Sequence, residues 1–167
     1  MSTKKESAGL LMYRIRDGRL EVFIVHPGGP YFARKDDGVW GIPKGSVGEK
    51  EDKLAAAVRE FAEETGIQPN GDFIPLGSIT QRSGKIVHAW AFAGDWDGRE
   101  PIKSNNFPLE WPPGSGQTRE FPEVDRAGFF SVRGARKKMI AAQAVLIDRL
   151  EAHLAGTDLR HESRGKS

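Results

Sequence analysis

The sequence predicts an α/β domain built from several short strands and two amphipathic helices. Runs rich in β-branched and aromatic residues recur along the chain, and the segments 52–65 and 135–154 repeat apolar residues at helical spacing. The chain has 167 residues, of which 38% are hydrophobic and 29% charged, so it can bury one substantial core. We therefore expect one domain over residues 5–154, followed by a polar, disordered tail over 155–167.

The predicted strands begin with a hairpin, because the first two runs are separated by the turn-like segment RDGR. The third run leads toward the first helix, the fourth and fifth flank a short turn, and the last precedes the second helix. These runs cover residues 7–15, 20–26, 39–43, 72–80, 85–94 and 128–132. Residues 95–125 are rich in Pro, Gly and Asn, which predicts a long irregular loop of a kind that usually has a function.

Both predicted helices carry an apolar stripe that must pack against a core. In the first helix the stripe consists of Leu54, Ala57, Val58, Phe61 and Ala62, and in the second it includes Met139, Ala142, Leu146 and Leu150. Gly66 follows the first helix at the position where a left-handed residue commonly ends a helix. Ile67 is then placed to contact Ala62 in a Schellman motif.

Three glutamates, Glu60, Glu63 and Glu64, crowd the last turns of the first helix. Like charges three or four residues apart on a helix cost about 0.2–0.5 kcal/mol per pair, so the cluster is unfavourable unless a cation lies against it. Three oxygen donors on a rigid element suit Mg²⁺ or Mn²⁺. Arg59 can reach Glu63 or Glu51 and hold a carboxylate in place. A solvated acidic face is the alternative interpretation.

The residues around these glutamates follow a known signature. Gly45, Glu51 and the run from Arg59 to Ile67 fill every fixed position of the Nudix box: G, five residues, E, seven residues, then REUxEExGU with U apolar. The chain resembles the Nudix hydrolases. This resemblance implies an α/β/α sandwich with a mixed β-sheet over roughly residues 5–154, and it favours metal binding over a solvated acidic face.

The resemblance also implies a chemistry, which is metal-dependent cleavage of a diphosphate linked to another group. Glu60, Glu63 and Glu64 would bind Mg²⁺, for which Mn²⁺ can substitute, and one of them could orient or deprotonate the attacking water. Arg59 would orient the carboxylates. The backbone carbonyl of Lys44 would contribute a metal ligand, and Gly45 would allow close approach.

Outside the box, the resemblance implies a further carboxylate from a loop before the last strand. Glu123 fits that place as a metal ligand or catalytic group, Glu120 is the second choice, and an ordinary loop glutamate is the alternative. Substrate phosphates could meet the box residues Lys44 and Gly45. Other candidates are basic side chains, namely Arg34, Lys35, Arg82 and Lys85.

Two features bear on the substrate. The box is entered through WGIPKG (40–45), in which a lysine comes directly before the first glycine of the box. This P-K-G run resembles the one in dinucleoside polyphosphate (Ap4A-type) hydrolases and in diphosphoinositol polyphosphate phosphohydrolases. Both act on long phosphate chains, where an extra cation is useful. In the segment 95–125, Phe107, Trp111 and Phe121 could stack a base or pack the loop onto the sheet. We expect a nucleoside polyphosphate substrate, with a dinucleoside polyphosphate such as Ap4A favoured.

Several alternatives share the box. Nucleoside triphosphates and diphosphoinositol polyphosphates are possible substrates, and an RNA 5′-pyrophosphohydrolase would use a basic cluster such as Arg133, Arg136, Lys137 and Lys138. Such a cluster is more often a solvated helix start. A non-catalytic Nudix module would sense nucleotides without cleaving them, but such modules typically lose box glutamates, and this chain keeps all three.

Composition excludes other classes of site. The chain has no cysteine, which rules out disulfides, thiolate zinc sites and cysteine nucleophiles, and its four histidines lack zinc spacing. A net charge of +2 gives no argument for nucleic acid or a membrane surface as a partner. The N-terminus lacks the apolar core of a signal peptide, so we expect a cytoplasmic protein that binds a small nucleotide and no membrane.

Overall fold

The computed structural model describes residues 5–164, with side chains described up to residue 157. In chain order the strands are β1 (Glu6–Arg16), β2 (Arg19–Pro27), β3 (Lys44–Ser46), β4 (Ile74–Thr80), β5 (Ile86–Ala93), β6 (Asn106–Glu110), β7 (Thr118–Pro122) and β8 (Val124–Ser131). The helices are α1 (Lys53–Thr65), α2 (Val132–Lys138) and α3 (Ala141–Arg164). No helix in this range is long and apolar enough to span a membrane.

The main sheet is mixed, as the resemblance implies. Its strands run in the order β4-β5-β1-β2-β8, and β3 pairs with β1 beside this path. β1 lies parallel to β5, whereas the β1–β2, β1–β3, β2–β8 and β4–β5 pairs are antiparallel. β1 is buried along most of its length because both of its faces are covered, which explains its continuous apolar sequence.

The core lies in two layers, one on each face of this sheet. Under α1, the buried side chains of Leu10, Phe23 and Phe92 pack against Phe61 of the helix. On the opposite face, Leu11, Val22, Ile24, Val87 and Ala91 pack against the α3 residues Leu146, Ile147 and Leu150. Helices therefore cover both faces of a mixed sheet, and the predicted α/β/α sandwich is confirmed.

Helix α1 begins and ends at residues that satisfy its free backbone groups. The Asp52 side chain accepts from the Ala55 amide at 3.0 Å, and Gly66 adopts the predicted left-handed conformation at φ 77°. The Gly66 amide donates to the Ala62 carbonyl at 2.8 Å, while the Ile67 amide donates to Thr65 Oγ1. The end is therefore the simpler αL motif, and the predicted Schellman motif is wrong because Thr65 captures the second amide.

The predicted strand over 39–43 is not formed. Gly38 and Trp40 instead bond to the junction between α2 and α3, where the Lys138 carbonyl accepts from their amides at 2.9 and 3.0 Å. Gly41 makes an isolated bridge to Val25, and Trp40 makes one to Met139. The strand that leads into α1 is β3, which begins only at Lys44.

The single helix predicted over 135–154 is divided at Met139. There the backbone is extended, with ψ 152°, and the Ile140 amide donates to the Trp40 carbonyl at 2.9 Å. Helix α3 then continues to Arg164, so the part of the predicted disordered tail between 155 and 164 is helical. This stretch contains one glycine and no proline, so nothing in it stops a helix. Residues 165–167 lie outside the described residues.

The segment predicted as a long irregular loop contains a second, two-stranded sheet. β6 and β7 pair antiparallel, with Phe107 opposite Phe121. Pro108 and Pro122 obscure these strands in the sequence, because proline is disfavoured in central strands but tolerated in a ribbon with free edges. This hairpin stands beside the site described next.

Candidate active site

Strand β3 brings the start of the box against helix α1. The Lys44 amide donates to Glu64 Oε2 at 3.1 Å, which joins the strand to the helix. A Cβ at position 45 would overlap the Glu60 carboxylate, so any residue other than glycine there would force that carboxylate to move. The glycine in the signature is therefore explained by close approach of a carboxylate to backbone.

Arg59 binds three of the acidic residues at once. Its Nη1 donates to Glu60 Oε1 at 2.8 Å and to Glu63 Oε2 at 3.1 Å. Its Nε and Nη2 donate to the two oxygens of Glu51 at 2.9 and 3.0 Å, and Nη2 also reaches the Ser46 carbonyl. The Arg59 hydrogen bonds, together with the Gly48 amide, lower the pKa of Glu51 to about 2. This geometry agrees with an orienting role for Arg59.

Three carboxylates, those of Glu60, Glu64 and Glu123, are in an environment that disfavours negative charge. Burial raises the pKa of Glu64 to about 8, and burial also raises the pKa of Glu60 and of Glu123. Burial, reinforced by the nearby Lys85, lowers the pKa of Lys44. Buried carboxylates are costly when ionised unless a cation compensates them, so this part of the protein favours binding of a positive ion.

The carboxylates of the box are oxygen ligands of the kind that Mg²⁺ prefers, but their side chains do not point to a common centre. Among the described residues, no three Asp, Glu, His or Cys side chains form a group that could hold an ion as they stand. Glu60 and Glu63 each turn an oxygen toward Arg59 instead. Both glutamates project from a fixed helix, and a change of their side-chain rotamers would bring hard oxygen donors together. The residues therefore fit a divalent ion.

A cleft of about 660 Å³ opens over these groups. It is lined by all three box glutamates and by Glu123, Asn105 and Asn106 from segments outside the box. Backbone hydrogen bonds fix these segments: the Asn105 amide donates to the Glu63 carbonyl at 3.0 Å, and the Glu123 amide donates to the Asn105 carbonyl at 2.8 Å. Glu123 thus lies in the same cleft as the box, whereas Glu120 is an exposed residue of β7 outside the lining.

The basic and aromatic candidates separate into two groups. Lys44, Gly45 and Lys85 line the cleft, while Arg34, Lys35 and Arg82 are exposed and do not line it. The aromatic candidates also lie outside the lining: Phe107 packs with Phe121 at 6.2 Å between ring centroids, and Trp111 packs edge-on against Tyr31 at 5.4 Å. Their contacts fit packing of the hairpin rather than a surface for the substrate base.

Sequence reasoning missed several residues of the cleft, including Phe32, Asn105, Asn106 and Gln143. Gln143 is fully buried, accepts from the Ile42 amide at 2.8 Å and donates to Gln81 Oε1 at 2.8 Å. A polar side chain inside the apolar stripe of the last helix was a signal for Gln143. Phe32 and Asn105 lie in loops and Asn106 begins β6, and no local pattern indicates which way their side chains point.

Comparison with known proteins identifies the family. A family model described as the NUDIX domain matches residues 4–150. The chain belongs to the Nudix family. With its complete box it is a pyrophosphohydrolase that acts on phosphoric anhydrides. None of the curated proteins compared with it matches the sequence significantly.

Solved Nudix structures share the fold at low sequence identity. Ap4A hydrolase from C. elegans, solved as a binary complex, is 22% identical with a TM-score of 0.64, covering 91% of this chain and 98% of that one. The NUDIX domain of Shewanella oneidensis NrtR, solved with ADP ribose, is 14% identical with a TM-score of 0.64, covering 92% and 90%. The E. coli ORF135 protein is 22% identical with a TM-score of 0.55, covering 92% of each chain.

The raised pKa of Glu64 predicts a pH-dependent effect on stability. Between its ordinary pKa of 4.5 and about 8, the folded Nudix domain holds a proton on Glu64 that the unfolded chain releases, so Glu64 destabilises the fold as pH rises. In EDTA, Glu64→Gln should therefore raise the free energy of unfolding, by on the order of a few kcal/mol near pH 8 and much less near pH 5. Denaturant titration at both pH values measures this. An equal difference at both would contradict it, and the exposed Glu49→Gln serves as the control.

Proposed function

We propose that this Nudix protein is a Mg²⁺-dependent pyrophosphohydrolase of nucleoside polyphosphates, with a dinucleoside polyphosphate such as Ap4A preferred. The observation that carries the proposal is the composition of one cleft. Four carboxylates and the two lysines Lys44 and Lys85 line it together. Carboxylates that hold a divalent ion and lysines that meet phosphate oxygens are the two parts that anhydride cleavage requires.

Glu60, Glu63 and Glu64 would hold Mg²⁺, or Mn²⁺ in its place, with Glu123 and the Lys44 carbonyl as further ligands. When bound, the ion would neutralise phosphate oxygens and lower the pKa of an attacking water. Arg59 supports this set by hydrogen bonds to Glu60 and Glu63, which limit the positions that their carboxylates can take. One of the four carboxylates would accept the proton of the water, and the general base is not assigned among them.

The preference for a long phosphate chain rests on the two lysines. Lys44 is half-buried and its charge is opposed by burial and by Lys85, so the pair gains most from a ligand with several negative charges. A triphosphate or longer chain offers those charges, whereas ADP-ribose carries fewer. Similarity to the C. elegans Ap4A hydrolase supports the same substrate class, and the ADP-ribose complex of the Shewanella domain supports nucleotides more generally.

An RNA 5′ end is less well supported, because the basic cluster of α2 is largely neutralised. Arg136 pairs with Asp148 and with Glu151, the latter at 2.7 Å. Lys138 donates to both oxygens of Asp36 at 2.9 Å. Side chains paired in this way offer little free charge to an RNA backbone. The proposed partner is therefore a small nucleotide, and we place the enzyme in the cytoplasm with such substrates.

The proposed substrate predicts a ranking of catalytic efficiencies. With Mg²⁺, kcat/KM should be highest for Ap4A, lower for ATP and lowest for ADP-ribose, because the number of phosphate groups along which Lys44 and Lys85 can make contact falls in that order. Initial rates of product formation, resolved by anion-exchange chromatography, give the three values. Highest efficiency on ADP-ribose or on 5′-triphosphorylated RNA would refute the substrate class while leaving anhydride hydrolysis intact.

A further inference from the structure

The loop between β2 and β3 presents two aromatic side chains beside the cleft. Tyr31 is 55% exposed and Phe32 is 37% exposed, and they are neighbours in sequence. Phe32 lines the same cleft as the carboxylates and lysines, whereas Tyr31 does not. An aromatic ring that keeps exposed surface in such a cleft can stack against an aromatic group of a ligand.

Hydrogen bonds hold the backbone of this loop, so Phe32 projects from a defined position in the chain. The Lys35 amide donates to the Phe32 carbonyl at 3.0 Å, and the Lys35 carbonyl is 2.6 Å from Nε2 of the fully buried His26. The Asp36 carboxylate accepts from Trp40 Nε1 at 2.7 Å. A ring on a fixed loop loses little conformational entropy when it binds a ligand, which favours affinity.

The neighbouring hairpin supports the loop from the other side. Trp111 at its tip packs edge-on against Tyr31. The Phe107 ring lies so close to Gly29 that a Cβ at position 29 would be 3.0 Å from it. The Gly28 amide donates to the Glu123 carbonyl at 3.0 Å. Tyr31 is therefore engaged by the hairpin, and of the two exposed rings Phe32 is the one that faces the cleft.

We propose that Phe32 is the stacking surface for the nucleobase of the substrate in this cleft. This inference rests on the proposed function and deepens it, because a base-stacking site selects nucleotides over diphosphoinositol polyphosphates and inorganic polyphosphates. Stacking on an aromatic ring depends little on which nucleobase is bound, because every base has a π-face. The exposed ammonium of Lys35, 5.7 Å from the ring centroid, lies over one face only loosely, so a base can displace it.

The test compares binding of AMP with binding of ribose 5-phosphate, by calorimetry with Mg²⁺. Neither has an anhydride bond, so binding is measured apart from turnover. We expect the wild type to bind AMP more tightly than ribose 5-phosphate. Phe32→Leu should weaken AMP about fivefold and ribose 5-phosphate by less than about twofold. Phe32→Tyr, which keeps the ring, should retain AMP affinity, and Tyr31→Leu should leave both affinities unchanged.

Three results would overturn the inference: equal wild-type affinity for the two ligands, AMP affinity unchanged in Phe32→Leu, or an equal loss for both ligands in that variant. Failure of the proposed function would be distinct. If no nucleotide is hydrolysed but AMP binding still depends on Phe32, the base-stacking site stands and the protein is a nucleotide-binding module. If nucleotides are hydrolysed and Phe32→Leu is silent, the activity stands and the base binds elsewhere.

Discussion

Glutamine in place of Glu63 is expected to lower kcat for a nucleoside polyphosphate at least about a hundredfold. Glu63 lines the cleft, and its Oε2 accepts from Arg59 Nη1 at 3.1 Å. Glutamine keeps an oxygen that can accept this hydrogen bond, but it loses the negative charge that would hold Mg²⁺. The fold should therefore persist while the site is impaired. Steady-state kcat at saturating Mg²⁺, together with the melting temperature, measures the two effects separately.

The matched control is Glu49→Gln, which makes the same chemical change at an exposed position of the loop before α1. Glu49 does not line the cleft, so its replacement should leave kcat within about twofold of the wild type. Wild-type turnover in Glu63→Gln would remove Glu63 from the catalytic set. A similar loss in both variants would show that the effect comes from the net charge of the protein and not from the site.

Glu123→Gln is expected to lower kcat about tenfold or more, equivalent to more than about 1.4 kcal/mol of transition-state stabilisation. The box glutamates all project from α1, so an ion held by them alone would be coordinated from one side. Glu123 lies in the same cleft but on a separate segment, and the Asn105 carbonyl and Gly28 amide fix its backbone. Although partial burial raises the pKa of Glu123, the residue keeps exposed surface, so its replacement should change the melting temperature little.

Glu120→Gln is the natural comparison for Glu123, since Glu120 lies three residues earlier in strand β7, whereas Glu123 follows the end of that strand. It pairs with Pro108 on the exposed ribbon and does not line the cleft, so turnover should be unchanged. Measuring kcat for both variants with Ap4A and Mg²⁺ decides the assignment. The reverse ranking would move the role to Glu120, and two silent variants would mean that the box glutamates act without a further carboxylate.

The half of the site that lies in the box could be predicted because its determinants are local. A helix with glutamates at positions 60, 63 and 64 must place them on adjoining parts of one surface whatever the rest of the chain does, and Gly66 favours a left-handed end directly after them. Gly45 could also be assigned to a close approach. The structure added the reason, which is contact with the Glu60 carboxylate.

The opposite half could not be predicted because it depends on contacts between distant segments. Asn105 reaches the cleft only because its amide bonds to the Glu63 carbonyl, and Phe32 only because its loop is tied to His26 and Trp40. The break at Met139 has the same origin. Residues 135–154 are a continuous helix by local pattern, and the docking of Trp40 on the backbone of that junction divides it.

The most direct test of catalysis at this cleft is the hydrolysis of Ap4A by the wild-type protein with Mg²⁺, in EDTA, and after Mg²⁺ is restored. We expect turnover with the ion, background rates in EDTA and full recovery on restoration, because the cleft carboxylates would act through the ion. Turnover that persists in EDTA would contradict metal dependence. Background rates on Ap4A, ATP, ADP-ribose and 5′-triphosphorylated RNA with both Mg²⁺ and Mn²⁺ would contradict catalysis itself.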